Sequence, residues 1–334
     1  MPYSERTHKD PSLHTNPARP RTTPGTGSGV FLLFWLMAFA AVSLVPAGCE
    51  LYRQDDYEEQ FVVESYLIAG EPLPEVRLSI TAPFDESYYF EERAVGDADI
   101  TISWYDEGGQ RRSSFRYIEQ ERGIYIPAEP DRATEVEPRH MYRLEADVPL
   151  ASGTLHRIEA ETVIPDTFSV MEVVRNRAVY QDPEQLEFRI TRNRQAGRQN
   201  HYIYSTESLE PYEENLTPFW DDITDDLDDA IRIRTGIVNE ENFDINPDGT
   251  LTLRMPWIGI AFYGQNIIST FSIDNNTYDF FRSQPVQAGG GAGSISPGEI
   301  QNIIYHVDGG IGLFGGMSKL DILVTVDRPP SPQP

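Results

Sequence analysis

Between residues 61 and 326 the chain is cut into short runs rich in Val, Ile, Tyr and Thr, each ended by Pro, Gly or Asp, with no long amphipathic helical stripe between them. Such a pattern restricts the chain to sheets, because branched and aromatic side chains suit a pleated, half-buried surface and alternation turns one face inward. The first half predicts strands at 61–68, 76–81, 99–105, 113–118, 123–126, 141–146 and 155–163. Ile100, Ile102 and Trp104 share one face of the third, and Thr101, Ser103 and Tyr105 the other. Gly108 and Gly109 after Asp106 and Glu107 give a hairpin turn, where glycine supplies positive φ. Seven strands in about a hundred residues predict an immunoglobulin-like β-sandwich over 60–165, with Pro165 as the boundary.

A second β-rich domain is expected over 166–327, with strands at 186–191, 202–205, 231–237 and 251–255, apolar runs at 257–263 and 267–273, and a last strand at 320–326. A short helix fits 275–282, where Tyr278, Phe281 and Arg282 fall at helical spacing. Gly289, Gly290, Gly291, Gly293 and Ser294 read as a flexible loop, and 328–334 as an unstructured Pro-rich tail. The fold class is therefore all-β, and a chain of 334 residues has room for two cores of ordinary size.

The formal net charge is -26, and nearly all the basic residues are arginine, Lys9 and Lys319 being the exceptions. Such an acidic surface repels phosphate backbones, so nucleic acid is not an expected partner. Salt adaptation and an Arg-favouring genome both account for the missing lysines, and only the first accounts for the excess of carboxylates.

Residues 30–45 read VFLLFWLMAFAAVSLV, an apolar run too short for a comfortable membrane span and suited to a secretion leader. It ends in Pro46, Ala47 and Gly48 before Cys49, the chain's single cysteine, which resembles the lipobox of bacterial lipoproteins. Pro46 departs from the leucine that pattern prefers, and the region before the apolar run is long. Residues 1–48 are thus expected to be a lipoprotein-type signal peptide, with Cys49 acylated as the membrane anchor. More than one acyl chain is needed, since a single chain binds a bilayer only marginally. A lone cysteine has no disulfide role within the chain. Arg53, Gln54, Asp55, Asp56, Tyr57, Glu58 and Glu59 make 49–59 an acidic, solvated tether.

The leader, the sandwich pattern and the stretch Asn302, Ile303, Ile304, Asp308, Gly309, Gly310, Ile311, Gly312, Leu313, Phe314, Gly315, Gly316 resemble the DUF4249 family of Bacteroidetes lipoproteins. Val62, Val63 and Glu64, the run 76–83 and the segment near Tyr278 add to that resemblance. It implies an outer-membrane lipoprotein, exposed on the cell surface or facing the periplasm, working beside a TonB-dependent transporter. It supplies no catalytic residue.

Asp244, Asn246, Asp248 and Gly249 fit the start of a calcium loop, although Met255 stands where a bidentate Glu would close it, and the same residues read as an ordinary turn. Asp221, Asp222, Asp225, Asp226, Asp228 and Asp229 form the densest acidic cluster, a solvated surface or a place for divalent ions. Gly309, Gly310, Gly312, Phe314 and Gly315 form a candidate structural or interaction loop. They do not open a helix, so close backbone packing or a bulge is expected there rather than a phosphate cradle. Tyr88, Tyr89, Phe90, Phe219 and Trp220 are candidates for a contact surface. No nucleophile, triad or acid pair stands out, and Ser294 is not in a nucleophile elbow, so a noncatalytic function is expected. The lipobox and the resemblance imply ligand capture beside a transporter, and the Asp244 to Gly249 turn with the aromatics gives the alternative of a calcium-dependent glycan-binding module.

Overall fold

The computed structural model describes residues 57–83, 85–193, 199–287 and 302–330. Residues 1–48, expected to be a signal peptide, Cys49, the glycines expected to form a loop at 289–294, and residues 331–334 lie outside the described residues. The chain is all-β with a few short helices, and residues 58–330 fall in one compact unit.

The first half forms β1 (Phe61–Ile68), β2 (Val76–Ile80), the single-turn helix α1 (Phe90–Arg93), β3 (Asp99–Tyr105), β4 (Arg111–Glu121), β5 (Ile124–Pro127), β6 (Met141–Pro149) and β7 (Leu155–Val163). Alternation does what the sequence requires of it: Tyr142, Leu144, Ala146 and Val148 point inward along β6 while the residues between them do not. β4 is the hinge of the architecture, since its first part pairs with β3 and its last part with β5. Two layers result, and Val63, Leu67, Val76 and Leu78 meet Ile100, Ile102, Leu144 and Ile158 in the first core.

The second half forms β8 (Val170–Arg175), β9 (Arg177–Val179), β10 (Leu186–Ile190), β11 (His201–Ser208), helices α2 (Pro218–Asp221) and α3 (Leu227–Ile231), β12 (Arg232–Arg234), β13 (Val238–Asn239), β14 (Asp244–Ile245), β15 (Leu251–Met255), β16 (Gly264–Ile273), helix α4 (Asn275–Gln287), β17 (Val307–Asp308) and β18 (Ile311–Asp327). A small sheet ordered β14-β15-β10-β8 lays Phe188, Ile190, Leu251 and Leu253 against Tyr202, Ile268, Ile322 and Val324 of the large sheet, making the second core. Pro165 falls between Ile164, in the first core, and Phe168, in the second.

The large sheet does not stop at that boundary. Its order runs β12-β11-β16-β18-β1-β2-β5-β4-β3-β6-β7-β17, so the last strand of the chain lies beside the first. Residues 311–317 of β18 pair parallel with β1, from Val62 opposite Ile311 to Ile68 opposite Met317, and 317–326 pair antiparallel with β16. Phe314 is buried in the first core, and Ile322, Val324 and Val326 in the second. The last strand is thus much longer than 320–326.

The strand expected at 231–237 is shorter, β12 covering only Arg232–Arg234: Ile231 ends α3, a turn started where the Asp226 side chain accepts a hydrogen bond from the Asp228 N–H at 3.0 Å. The apolar run 257–263 begins as the 3-10 turn Trp257–Gly259, closed by the Gly259 N–H donating to the Pro256 carbonyl.

Candidate functional site

On the outer face of β1 and β2 the register sets Glu64 opposite Arg77 and Val62 opposite Ser79, while Val63 and Leu78 face the core. The chain after β2 folds back across this face. Tyr88 donates its hydroxyl hydrogen to Ser79 Oγ at 3.0 Å, Arg93 pairs with Glu86, and the Val95 N–H donates to the Leu78 carbonyl. An open cleft of about 560 Å³ remains, with Val62, Glu64 and Arg77 on its floor and Pro83, Tyr88 and Phe90 on its wall.

Arg77 is one of a few described arginines, with Arg234 over Phe281 and Arg328 over Tyr263, that face an aromatic ring. Its guanidinium carbon lies 4.1 Å from the centroid of the Phe90 ring, close enough for a cation–π contact. Its Nε is shut away from solvent with no hydrogen-bond partner, and Arg77 forms no ion pair with any carboxylate among the described residues. Most of the other arginines, such as Arg157 with Glu145, Asp147 and Glu159, are tied up in exposed ion pairs. Stacking on Phe90 holds a planar fork of donors still in one orientation, which reduces the entropy lost on binding.

A second polar arrangement sits where β18 passes from one core to the other. Asp274 follows β16 and caps α4: its carboxylate accepts from the Thr277 N–H at 2.9 Å and from the Thr162 hydroxyl. Burial pushes this carboxyl above the ordinary carboxylate range, although those hydrogen bonds pull it the other way. Asn276 donates to the carbonyls of Glu161 and Phe314, at 2.6 and 2.9 Å, and Asn193 donates to the Asp166 carbonyl and to Ser272 Oγ. Nearby, Glu240 is almost wholly buried; burial raises its carboxyl, yet hydrogen bonds from Arg192 and Asn200 outweigh that and hold it below the ordinary value. Most polar groups of the cluster bond one another, which makes it a structural seam, although Asn193 Oδ1, Asn200 Oδ1 and Thr277 Oγ1 are buried with no hydrogen-bond partner among the described residues.

The glycine run belongs to the same seam. Gly309 has φ +75° in the turn between β17 and β18, and Gly312 has φ +112°. A Cβ on Gly312 would overlap the Val63 carbonyl, one on Gly315 the Thr277 hydroxyl, and one on Gly310 would crowd the Phe61 carbonyl. These residues allow β18 to lie close against β1 and α4, and Phe314 fills the core between them.

Asp244, Asn246 and Asp248 all lie in the hairpin of β14 and β15, each with its own partners. Asp244 pairs with Arg254; Asp248 binds Arg189 at 2.5 Å and accepts from the Thr250 N–H and hydroxyl at 3.0 and 2.7 Å; Asn246 donates to Thr250 and Thr252. Gly249 takes positive φ at the turn. A cation at Asp248 would have to displace Arg189. Among the described residues no group of three or more His, Cys, Asp or Glu is placed to hold a metal ion. The acidic cluster 221–229 covers the exposed turns around α2 and α3.

Tyr88 and Tyr89 are exposed, whereas Phe219 and Trp220 are half-buried, Trp220 donating its indole N–H to the Ile258 carbonyl at 3.0 Å. The sequence therefore points to Tyr88 and Phe90 but not to Arg77. Its weak signal is a lone cation at a polar position of an alternating strand. The Asp274-Asn275-Asn276-Thr277 run before α4 is a stronger signal, that of a helix cap.

These features define an all-β protein of two cores stitched by a shared last strand, with an open polar and aromatic cleft on the outer face of the first. The chain belongs to the DUF4249 family, described as "Domain of unknown function (DUF4249)", which it matches over residues 51–322. No curated protein matches it. Among solved structures it is similar to the tetra-tandem repeat in the extending region of a large adhesion protein, at TM-score 0.22 and 12% identity, covering 80% of this chain and 49% of that one. It is also similar to three N-terminal domains of the bacteriophage RB49 highly immunogenic outer capsid protein, at TM-score 0.24 and 9% identity, covering 82% and 71%. A third is Salmonella alpha-2-macroglobulin reacted with methylamine, at TM-score 0.23 and 8% identity, covering 80% and 15%. The chain thus spans about half the length of the adhesion-protein structure.

Proposed function

We propose that this chain is a noncatalytic, lipid-anchored binding protein of the bacterial outer membrane, tethered through Cys49 and serving a TonB-dependent transporter by capturing or retaining its ligand. The observation that carries this reading is the apolar run at 30–45 ending in Pro46-Ala47-Gly48-Cys49, followed by an acidic tether and then a folded β body. Two acyl chains or more on one sulfur and its new N-terminus would hold an otherwise water-compatible domain at a bilayer. No helix among the described residues is long and apolar enough to cross a membrane. Membership of DUF4249 is consistent with a Bacteroidetes envelope protein, and the open cleft offers a place for a ligand on a rigid sheet.

The test is fractionation and mass spectrometry of the native and Cys49→Ser chains. The reading expects an acylated N-terminal Cys49 in the membrane fraction, a shift of the serine variant out of that fraction, and a β-barrel partner in mild-detergent purifications. An unmodified residue 49 on a chain free in solution would remove it.

A further inference from the structure

We infer that the cleft on β1 and β2 binds a neutral saccharide, gripped by Arg77 and Glu64 with a sugar ring lying on Tyr88. The inference deepens the ligand-capture reading and rests on it for the setting, but not for the chemistry.

The floor strands are internal to the sheet, β1 lying between β18 and β2, and β2 between β1 and β5. Their backbone groups are already used, so an extended peptide cannot add to them, and only side chains meet the ligand. Those side chains are of a particular kind. Arg77 offers donors with no carboxylate partner, Glu64 offers acceptors directly opposite in register, and Glu86 is neutralised by Arg93. The local charge therefore balances within a chain of net charge -26. A small anion would meet both Glu64 and the repulsion of the whole molecule, and a cation would meet Arg77. A ligand carrying donors and acceptors side by side without charge meets neither penalty, and vicinal hydroxyls fit: one oxygen accepts from the guanidinium while its neighbour donates to the carboxylate.

The wall supplies the apolar half of the same recognition. Tyr88 is 49% exposed, and its hydroxyl is bound to Ser79. A half-exposed aromatic ring held by a hydrogen bond is suited to the C–H face of a pyranose. Pro83 and Phe90 complete an apolar border. A volume of about 560 Å³ lies within the roughly 300–1,000 Å³ of small-ligand clefts, and its openness suits a chain that continues beyond the site.

The experiment is isothermal titration of the purified full-length chain with cellotetraose, maltotetraose, xylotetraose and mannotetraose, in buffer containing EDTA, with citrate as the charged comparator. At least one tetrasaccharide should bind. Tyr88→Ala and Arg77→Ala should each weaken it by about tenfold or more, and Tyr88→Phe, which keeps the ring, should weaken it much less. Tyr88 is exposed, so unchanged melting of its variants separates lost binding from lost folding. The inference is overturned if no tetrasaccharide binds, if the variants bind as the native chain does, if binding requires calcium, or if citrate binds in preference. A chain that fractionates with membranes yet ignores the sugars removes this inference and leaves the anchor intact; a sugar-binding chain free in solution does the reverse.

Discussion

Between Ile311 and Gly316 the last strand carries three glycines and lies parallel to β1, whereas between Met317 and Val326 it carries alternating apolar residues and runs antiparallel to β16. The first stretch is stabilised by what it lacks: without side chains at Gly312 and Gly315 the backbone approaches Val63 and Thr277 closely enough to seat Phe314 in the first core. The second is stabilised by what it buries, Ile322, Val324 and Val326 in the second core. One strand therefore joins two cores by two different means, close fit on one side and apolar burial on the other.

The contrast breaks most sharply at Gly312. Gly312→Val adds a branched side chain at φ +112° against the Val63 carbonyl, and strain plus overlap should cost roughly 4 kcal/mol in urea unfolding. In the apolar half the same kind of loss follows from removing atoms instead: Ile322→Ala should cost about 2–4 kcal/mol by leaving a cavity in the second core.

Asp274, at the junction of the halves, gives a pH signature. Its folded-state carboxyl titrates above its unfolded value near about 3.9, so the folded chain holds the proton more tightly and the penalty of the buried charge is complete once pH exceeds the folded value. That penalty is absent below the unfolded value and grows as pH rises through the window between the two. Asp274→Asn should remove this dependence, so that melting temperature measured from pH 3 to 8 gives a variant-minus-native difference that rises with pH. The smallest effect is expected at Leu323, which alternates outward and is half exposed; Leu323→Ala should stay within about 0.5 kcal/mol of the native chain.

The two halves of the strand also differ in how well the sequence announces them. Alternation marks 320–326, as it marks β1, β3, β7 and β15, whose bounds coincide with the expected ones. It does not mark 311–316, because glycines carry no polarity and the partner strand begins at Phe61, far away in the chain. β8 escapes for a related reason: Met171, Val173 and Val174 are all exposed, so its apolar residues do not report a buried face. At the cleft, the cluster Tyr88-Tyr89-Phe90 is legible as aromatic surface. The stacking of Arg77 on Phe90 is not, since it depends on the 81–94 segment folding back over β2.

Amide exchange in the native chain and in Gly312→Ala tests the stitching of the two cores most directly. β6 lies in the first core, and β10 lies in the second, on the sheet that does not contain β18. If the last strand makes one cooperative body, protection in β6 and β10 should fall by the same free energy. Protection lost in β6 and unchanged in β10 would mean that the two cores unfold separately and that the shared strand does not bind them together.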